Sequence, residues 1–493
     1  MKSMQDKRTL KYGGFSVAIT ILVIVAVLAL NVLVTYIENN KGLKVDFTPN
    51  ASYTLDKNAE TAIRDLANDV VIYTFIPAGE NSNYSYLTVN IVALFDGASE
   101  RITSKNVDPI VNPSKLAQFS TDTKKLSAYA VVVAEKDNET NFHAFNENEM
   151  VEFNSNTQKS YFVLQRWITS ALIYMRTGVR TNVYLLTGHG EDINENVETM
   201  LSRIRRENYN VEEISLIGSG KKLQQGDILI LLEPKSDMSK EEYDQIITFL
   251  DDNYGKMLFI ASRMNNDGGE PLKYYHLLLD YFNLSLNDGV VAETNENHRS
   301  ASSARLIELV PDQAHTVSAA VRSGNEPVWV NDASSFSYKY GSGTTMGASY
   351  HETYSTVLTS YASAILVPWV QADDYDASAY TKAVQGVCGA YERVNEGITG
   401  TVATRTTRIL LMGSVSLATG DYLGNSNILR NGLNWLAGKD SEDSLVNIGI
   451  DLTNSYVQMT QTQMKVWFTV LVICVPALIL AGGIVVWIRR KNL

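Results

Sequence analysis

Two uncharged apolar runs, one towards each end of the chain, constrain the fold more than anything between them. From Tyr12 to Ile37 no side chain is charged, and Phe15 to Leu30 is almost wholly Val, Ile, Leu and Ala. Coiled as a helix, such a run is long enough to cross the roughly 30 Å of bilayer hydrocarbon. Val466 to Ile488 has the same character, and its Pro476 and Gly482-Gly483 are tolerable where neighbouring helices satisfy the freed backbone. The first run exceeds the roughly 7–15-residue core of a cleaved signal peptide and no Ala-x-Ala pair follows it, so an uncleaved anchor is expected. Lys2, Lys7, Arg8 and Lys11 precede the first span, and Arg489, Arg490 and Lys491 follow the second. Both termini are therefore expected in the cytoplasm of a two-pass cell-membrane protein, with residues about 38–465 extracytoplasmic.

Between the anchors the chain has room for two or three domains. Setting aside the seven terminal basic residues and Asp6 leaves 35 basic against 53 acidic side chains, from totals of 42 and 54. A body this acidic repels nucleic acid, which is excluded as a partner. The two cysteines, Cys388 in an apolar run and Cys474 inside the second span, cannot meet. A disulfide scaffold and a cysteine-based metal site are excluded with them.

Hydrophobic periodicity divides the extracytoplasmic part. Asp56 caps a helix with Ala59, Ala62, Ile63 and Leu66 on one face; Val70–Phe75, Arg101–Val107 and Ala128–Ala134 read as strands, and Tyr86–Gly97 as a helix. This β-α-β-β order predicts a small thioredoxin-like α/β domain over 44–156, without the Cys-x-x-Cys of a redox enzyme. A connecting helix is expected over 157–178. It leads into Thr181–Glu191, an apolar strand that stops at Gly188-His189-Gly190-Glu191. Further on, Val211–Leu216, Asp227–Leu232 and Met257–Ala261 alternate with helical stripes, and Ser239 with Glu242 forms a capping box. That alternation predicts a doubly wound, flavodoxin-like parallel sheet over 179–440. Residues 294–380 are weakly patterned, an insertion or a set of edge strands. A connector over 441–465 then leads to the second span, 466–488, and a cytoplasmic end at 489–493, mirroring residues 1–12 and the first span, 13–37.

The motif tests for catalysis fail. Gly218-Ser-Gly-Lys-Lys222 lacks the first glycine and the hydroxyl of a nucleotide-binding loop, and no zinc-protease or serine-hydrolase signature occurs. Of six histidines, His143, His298, His315 and His351 stand in polar loops, and His276 is on an apolar helix. His189 beside Glu191 is the candidate: a histidine held between Gly188 and Gly190 next to a carboxylate could serve as a general base or bind a metal with help from elsewhere. The plainer reading is a tight turn with His189 bonded to loop backbone and Glu191 near a helix N-terminus. No nucleophile completes a triad, and the strand ending at Glu233-Pro234 offers none. Neither a catalytic residue, a resident metal nor a cofactor is expected.

With these residues in view, the chain resembles the auxiliary subunits of ABC-2-type transporters related to the gliding-motility protein GldG. The likeness rests on Ile168-Thr-Ser-Ala171, on Val183-Tyr-Leu-Leu-Thr-Gly-His-Gly-Glu191, on the unit from Asp227 to Ala261, and on Gly424-Asn425 with Asn431-Gly-Leu-Asn-Trp-Leu436. It implies an amidotransferase-like second domain without the catalytic cysteine. It also implies a multispanning ABC permease and a cytoplasmic ATPase as partners, and a cell-wall or small-molecule ligand for the outer body. Ser414, Asn425 and Asn431 become candidate polar positions at a strand end and on the closing helix. Gly413-Ser414 departs from relatives that carry an acid after that glycine. The function expected is a non-catalytic scaffold or binding subunit; a membrane-anchored hydrolase using His189 and Glu191, or a free-standing cell-surface sensor of glycans or peptides, are the alternatives.

Overall fold

The computed structural model describes residues 54–452 apart from 81, 121–124, 155–158, 178–180, 208, 219, 267, 325, 347–349, 396–404, 421 and 440–448, together with Arg489. Both apolar runs read as membrane spans lie outside these residues. Among the described residues no helix is long and apolar enough to cross a membrane.

The described residues open with the helix Lys57–Arg64, where the Asp56 carboxylate accepts from Ala59 N at 2.7 Å as the N-cap. Strands β1 (Val70–Thr74), β2 (Ile102–Asn106), β3 (Val131–Glu135) and β4 (Asn138–Phe145) form a sheet in the order β2-β1-β3-β4. β1 and β2 are parallel, and β3 runs antiparallel to both β1 and β4. Val71, Tyr73 and Phe75 point to one face, where they meet Phe119, Val132 and Ala134. The helices Lys57–Arg64 and Leu164–Thr177 pack together, and the second also lies on β3 and β4, making it part of this layer rather than a free connector. The connecting helix was expected from residue 157; instead β5 (Val151–Asn154) and β6 (Lys159–Phe162) form a hairpin, and the helix begins only at Leu164.

The larger sheet has a parallel half and an antiparallel half. β7 (Thr181–Leu186), β8 (Tyr209–Ile214), β9 (Ile228–Leu232), β10 (Lys256–Ile260) and a late strand, Arg405–Met412, lie parallel in the order β8-β7-β9-β10-(Arg405–Met412). β9 is buried along its whole length, with Ile228, Ile230 and Leu232 in one core and Leu229 and Leu231 in the other. The first core is closed by the helices Glu195–Arg206 and Leu423–Leu436, through Val197, Met200, Leu201, Ile428 and Leu433. The second is closed by Lys240–Ile247 and Lys273–Tyr281, through Ile246, Tyr275, Leu278 and Leu279. Helices on both faces explain why these strands read as continuous apolar runs rather than alternating ones. Each such side chain contributes roughly 1.5–3 kcal/mol on full burial.

Most strands within residues 294–380 extend the sheet instead of forming a separate insertion, while two of them pair outside it. After the short strands β11 (Leu284–Leu286), β12 (Val290–Glu293) and β13 (Arg299–Ser300) comes β14 (Ser303–Pro311), which pairs with β15 (Val328–Asn331). β16 (Phe336–Tyr338) pairs with β11; β17 (Gly343–Met346) pairs with β18 (Tyr350–Thr359); β19 (Ala364–Val367) pairs with β12. β18 is antiparallel to β20 (Gly386–Asn395), which in turn is antiparallel to β21 (Arg405–Met412), joining the two halves. β14, β17 and β18 mix polar with apolar residues, so their sequence lacks the unbroken apolar run that marks the parallel half.

Two seams tie the ends of this body together. β22 (Ile450–Asp451) pairs with β6, so the chain leaving the large sheet returns to the hairpin that precedes it. Beside that hairpin Arg166 is buried and salt-bridged to Glu152, and Trp167 donates to Glu149 O at 2.8 Å.

Candidate functional site

The order of the parallel strands reverses between β7 and β9, and the loops leaving their carboxyl ends meet there, the position where open α/β sheets bind ligands. The loop after β7 is Thr187 to Glu191. Gly188 and Gly190 have φ of +112° and +81°, which side-chain-bearing residues rarely adopt. This left-handed backbone folds the loop over its own acid: Glu191 Oε2 accepts from Gly188 N at 3.1 Å and from His189 N at 2.9 Å. The His189 carbonyl accepts from Lys235 N and Ser236 N at 2.8 and 2.9 Å, fastening the loop to the one after β9.

The His189 imidazole is buried between two acids. Nδ1 lies 3.3 Å from Glu191 Oε1, within ion-pair distance but without hydrogen-bond alignment. Nε2 lies 3.3 Å from the Glu242 carboxylate, whose Oε2 also accepts from Ser239 N at 2.9 Å as one arm of a capping box. Tyr275 presents its ring edge-on from the far side, centroids 6.1 Å apart. Burial alone would lower the imidazole's pKa, but the neighbouring carboxylates of Glu191 and Glu242 outweigh it and raise it above its ordinary value. Burial pushes the Glu191 carboxyl up, and the adjacent His189 ring and the bonds from the loop amides more than reverse this, leaving it lowered. With Nδ1 and Nε2 each facing a carboxylate inside the protein, the ring presents neither nitrogen to a substrate and is poorly placed as a general base. The loop amides are bonded to Glu191, and the expected pairing of that acid with a helix N-terminus is not what is seen. The following helix, Glu195–Arg206, is capped by Asn194.

The loop after β9 starts at Glu233, a non-glycine residue with φ +37°. Its carboxylate accepts from Ser262 N at 2.9 Å and Ser262 Oγ at 3.2 Å, across the end of β10. Burial pushes this carboxyl up, and the Ser262 bonds and the nearby Arg263 only partly offset it. Ser262 is shared: its carbonyl also accepts from Trp369 Nε1 at 3.2 Å and Ser334 Oγ at 2.6 Å. Arg263 stacks on Trp369, guanidinium to ring centroid 3.9 Å, at the wall of a cleft of about 690 Å³. Sequence reasoning passed over Arg263 and Trp369, and saw in Glu233-Pro234 only the lack of a nucleophile. The local signal for Arg263 was a charged residue just past an apolar strand, and Trp369 reaches the cleft from the weakly patterned region.

The other three candidate positions lie elsewhere. Ser414 caps the short helix Val415–Thr419, accepting from Ser416 N at 3.2 Å and donating to Asn331 O at 2.7 Å. Asn425 is fully buried and clamps Trp329 by both backbone groups, accepting from its N at 3.1 Å and donating to its O at 2.7 Å. Asn431 donates to Val317 O at 3.3 Å. These bonds tie the closing helix Leu423–Leu436 and the strand end at Ser414 to β15 and the helix Thr316–Gly324; they do not bring the three residues to the His189 loop. His276 is exposed on the cleft wall, and the Cys388 thiol is buried in β20 with its pKa pushed up by desolvation. Among the described residues no group of three or more His, Cys, Asp or Glu side chains is arranged to hold a metal ion.

No protein-family profile matches the chain, and no curated protein matches it. Among solved structures it is similar to the mmIFT52 N-terminal domain, with 12% identity and a TM-score of 0.35 over 52% of this chain and 97% of that one. It is also similar to the alkylhydroperoxide reductase component AhpF of Enterococcus faecalis, with 13% identity and a TM-score of 0.20 over 35% of this chain and 80% of that one. The NTD_N/C domain of the same reductase gives 12% and 0.19 over 34% and 79%. These are distant structural likenesses, and they assign the chain to no family.

Proposed function

We propose that this chain is a non-catalytic auxiliary subunit of an ABC transporter complex, of the GldG-like kind. In this reading a thioredoxin-like domain and a doubly wound, amidotransferase-like domain stand outside the membrane, held by spans at 13–37 and 466–488. One observation carries it: the groups at the sheet's carboxyl edge that could do chemistry, in the loops after β7 and β9, are engaged with protein partners. His189 lies between Glu191 and Glu242, and the residue at the turn after β9, where an amidotransferase would place its nucleophile, is Glu233, bonded to Ser262 and followed by Pro234. Two spans form no conduit and the chain has no nucleotide-binding loop, so transport would need a permease and an ATPase supplied by other chains.

A second reading, a cell-surface sensor without a transporter, draws on the open cleft beside Arg263 and Trp369. Affinity purification of the tagged full-length chain from membranes in mild detergent separates the two. The transporter reading expects a multispanning permease and an ATPase to co-purify, and a sensor recovers neither.

A further inference from the structure

From the cleft at the carboxyl end of β10 we infer a binding site for a short peptide with a free carboxylate and a free ammonium group. This stands on the cleft alone and holds whether or not the chain belongs to a transporter. At about 690 Å³ the cleft lies in the size range of small-molecule sites and at the sheet edge where such sites form.

Its lining carries exposed charges of both signs. Here Arg263, Lys273, Asp280 and Asp288 all line one cavity, and among the described residues none has an ion-pair partner. The Arg263 guanidinium lies over the ring of Trp369, whose indole nitrogen is itself fixed by Ser262 O and Ser334 Oγ. A guanidinium so seated can bind a carboxylate through two parallel bonds. Asp280 and Asp288 in the same cavity would repel a ligand carrying only negative charge. A molecule with a carboxylate at one end and an ammonium at the other satisfies both signs, and Asn287 adds an amide able to meet a peptide backbone.

The test is isothermal titration of the full-length chain in detergent with trialanine, N-acetyl-trialanine and trialanine amide. Trialanine is expected to bind, and capping either terminus to weaken it about tenfold or more. Arg263→Ala is expected to lose as much, while Arg263→Lys, which keeps the charge but not the fork, falls between. The double variant Asp280→Asn with Asp288→Asn should lose the preference for the free amine while keeping the preference for the free carboxylate. All three side chains are exposed, and a thermal melt matching wild type checks that each variant folds. Absence of heat with trialanine at millimolar concentration, equal binding of the capped peptides to wild type, or unchanged binding by Arg263→Ala would each overturn the inference.

Discussion

The imidazole of His189 lies 3.3 Å from the carboxylate of Glu242, a residue 53 positions later that also closes the first turn of its own helix. The contact joins the loop after β7 to the helix after β9.

That coupling makes a pH prediction. His189 has its pKa raised above 6.5 in the folded state, so its contribution is fully present below pH 6.5 and is lost as pH rises through the folded value. Glu191 is lowered from 4.5, so its contribution is present above pH 4.5 and is lost as pH falls further. In thermal melts the gap between wild type and His189→Gln should be widest between pH 4.5 and 6.5 and should close steadily above that window.

A second buried charge sits in the antiparallel half. Glu352 is 2% exposed and accepts from Tyr338 OH at 2.8 Å, Tyr391 OH at 2.7 Å and Arg393 Nε at 3.0 Å. Replacing it by alanine leaves Arg393 with Asp251 as its remaining ion-pair partner and strips two tyrosine hydroxyls of their acceptor. The expected cost in urea unfolding is about 3–5 kcal/mol, with Glu352→Gln costing less because it still accepts.

Two glycines separate steric from conformational cost. A Cβ at Gly413 would fall 2.0 Å from Ser334 O, a backbone atom that cannot swing aside. Gly413→Ala is expected to destabilise by about 1–3 kcal/mol or more through overpacking. Gly188 has open space around it and only its φ of +112° to object, so Gly188→Ala should cost about 1–2 kcal/mol. Calorimetric melts of the two variants should show this order.

The parallel half was legible in the sequence because strands covered on both faces carry unbroken apolar runs, as Ile228–Leu232 does, and because Ser239 and Glu242 announce their helix. β18 and β17 were not legible: Tyr350–Thr359 alternates with polar residues that give no core signal, and its partner β20 follows across a stretch with no helix to separate them. At the site, the glycines flanking His189 pointed to the loop, since only they reach its backbone conformation. Glu242 was visible as a cap but not as the partner of His189, because a 53-residue separation closes only through the sheet. The Arg263–Trp369 stack depends in the same way on β19 returning beside β12, which no local pattern announces.

The most direct measurement is to purify the tagged chain from its native membranes in mild detergent, as wild type and as His189→Ala with Glu191→Ala, and identify what comes with it. The account predicts a multispanning permease and an ATPase with both forms, the pair of substitutions lowering stability without removing the partners. Neither partner with the wild type, together with hydrolysis of an ester or amide that the double variant abolishes, would contradict it.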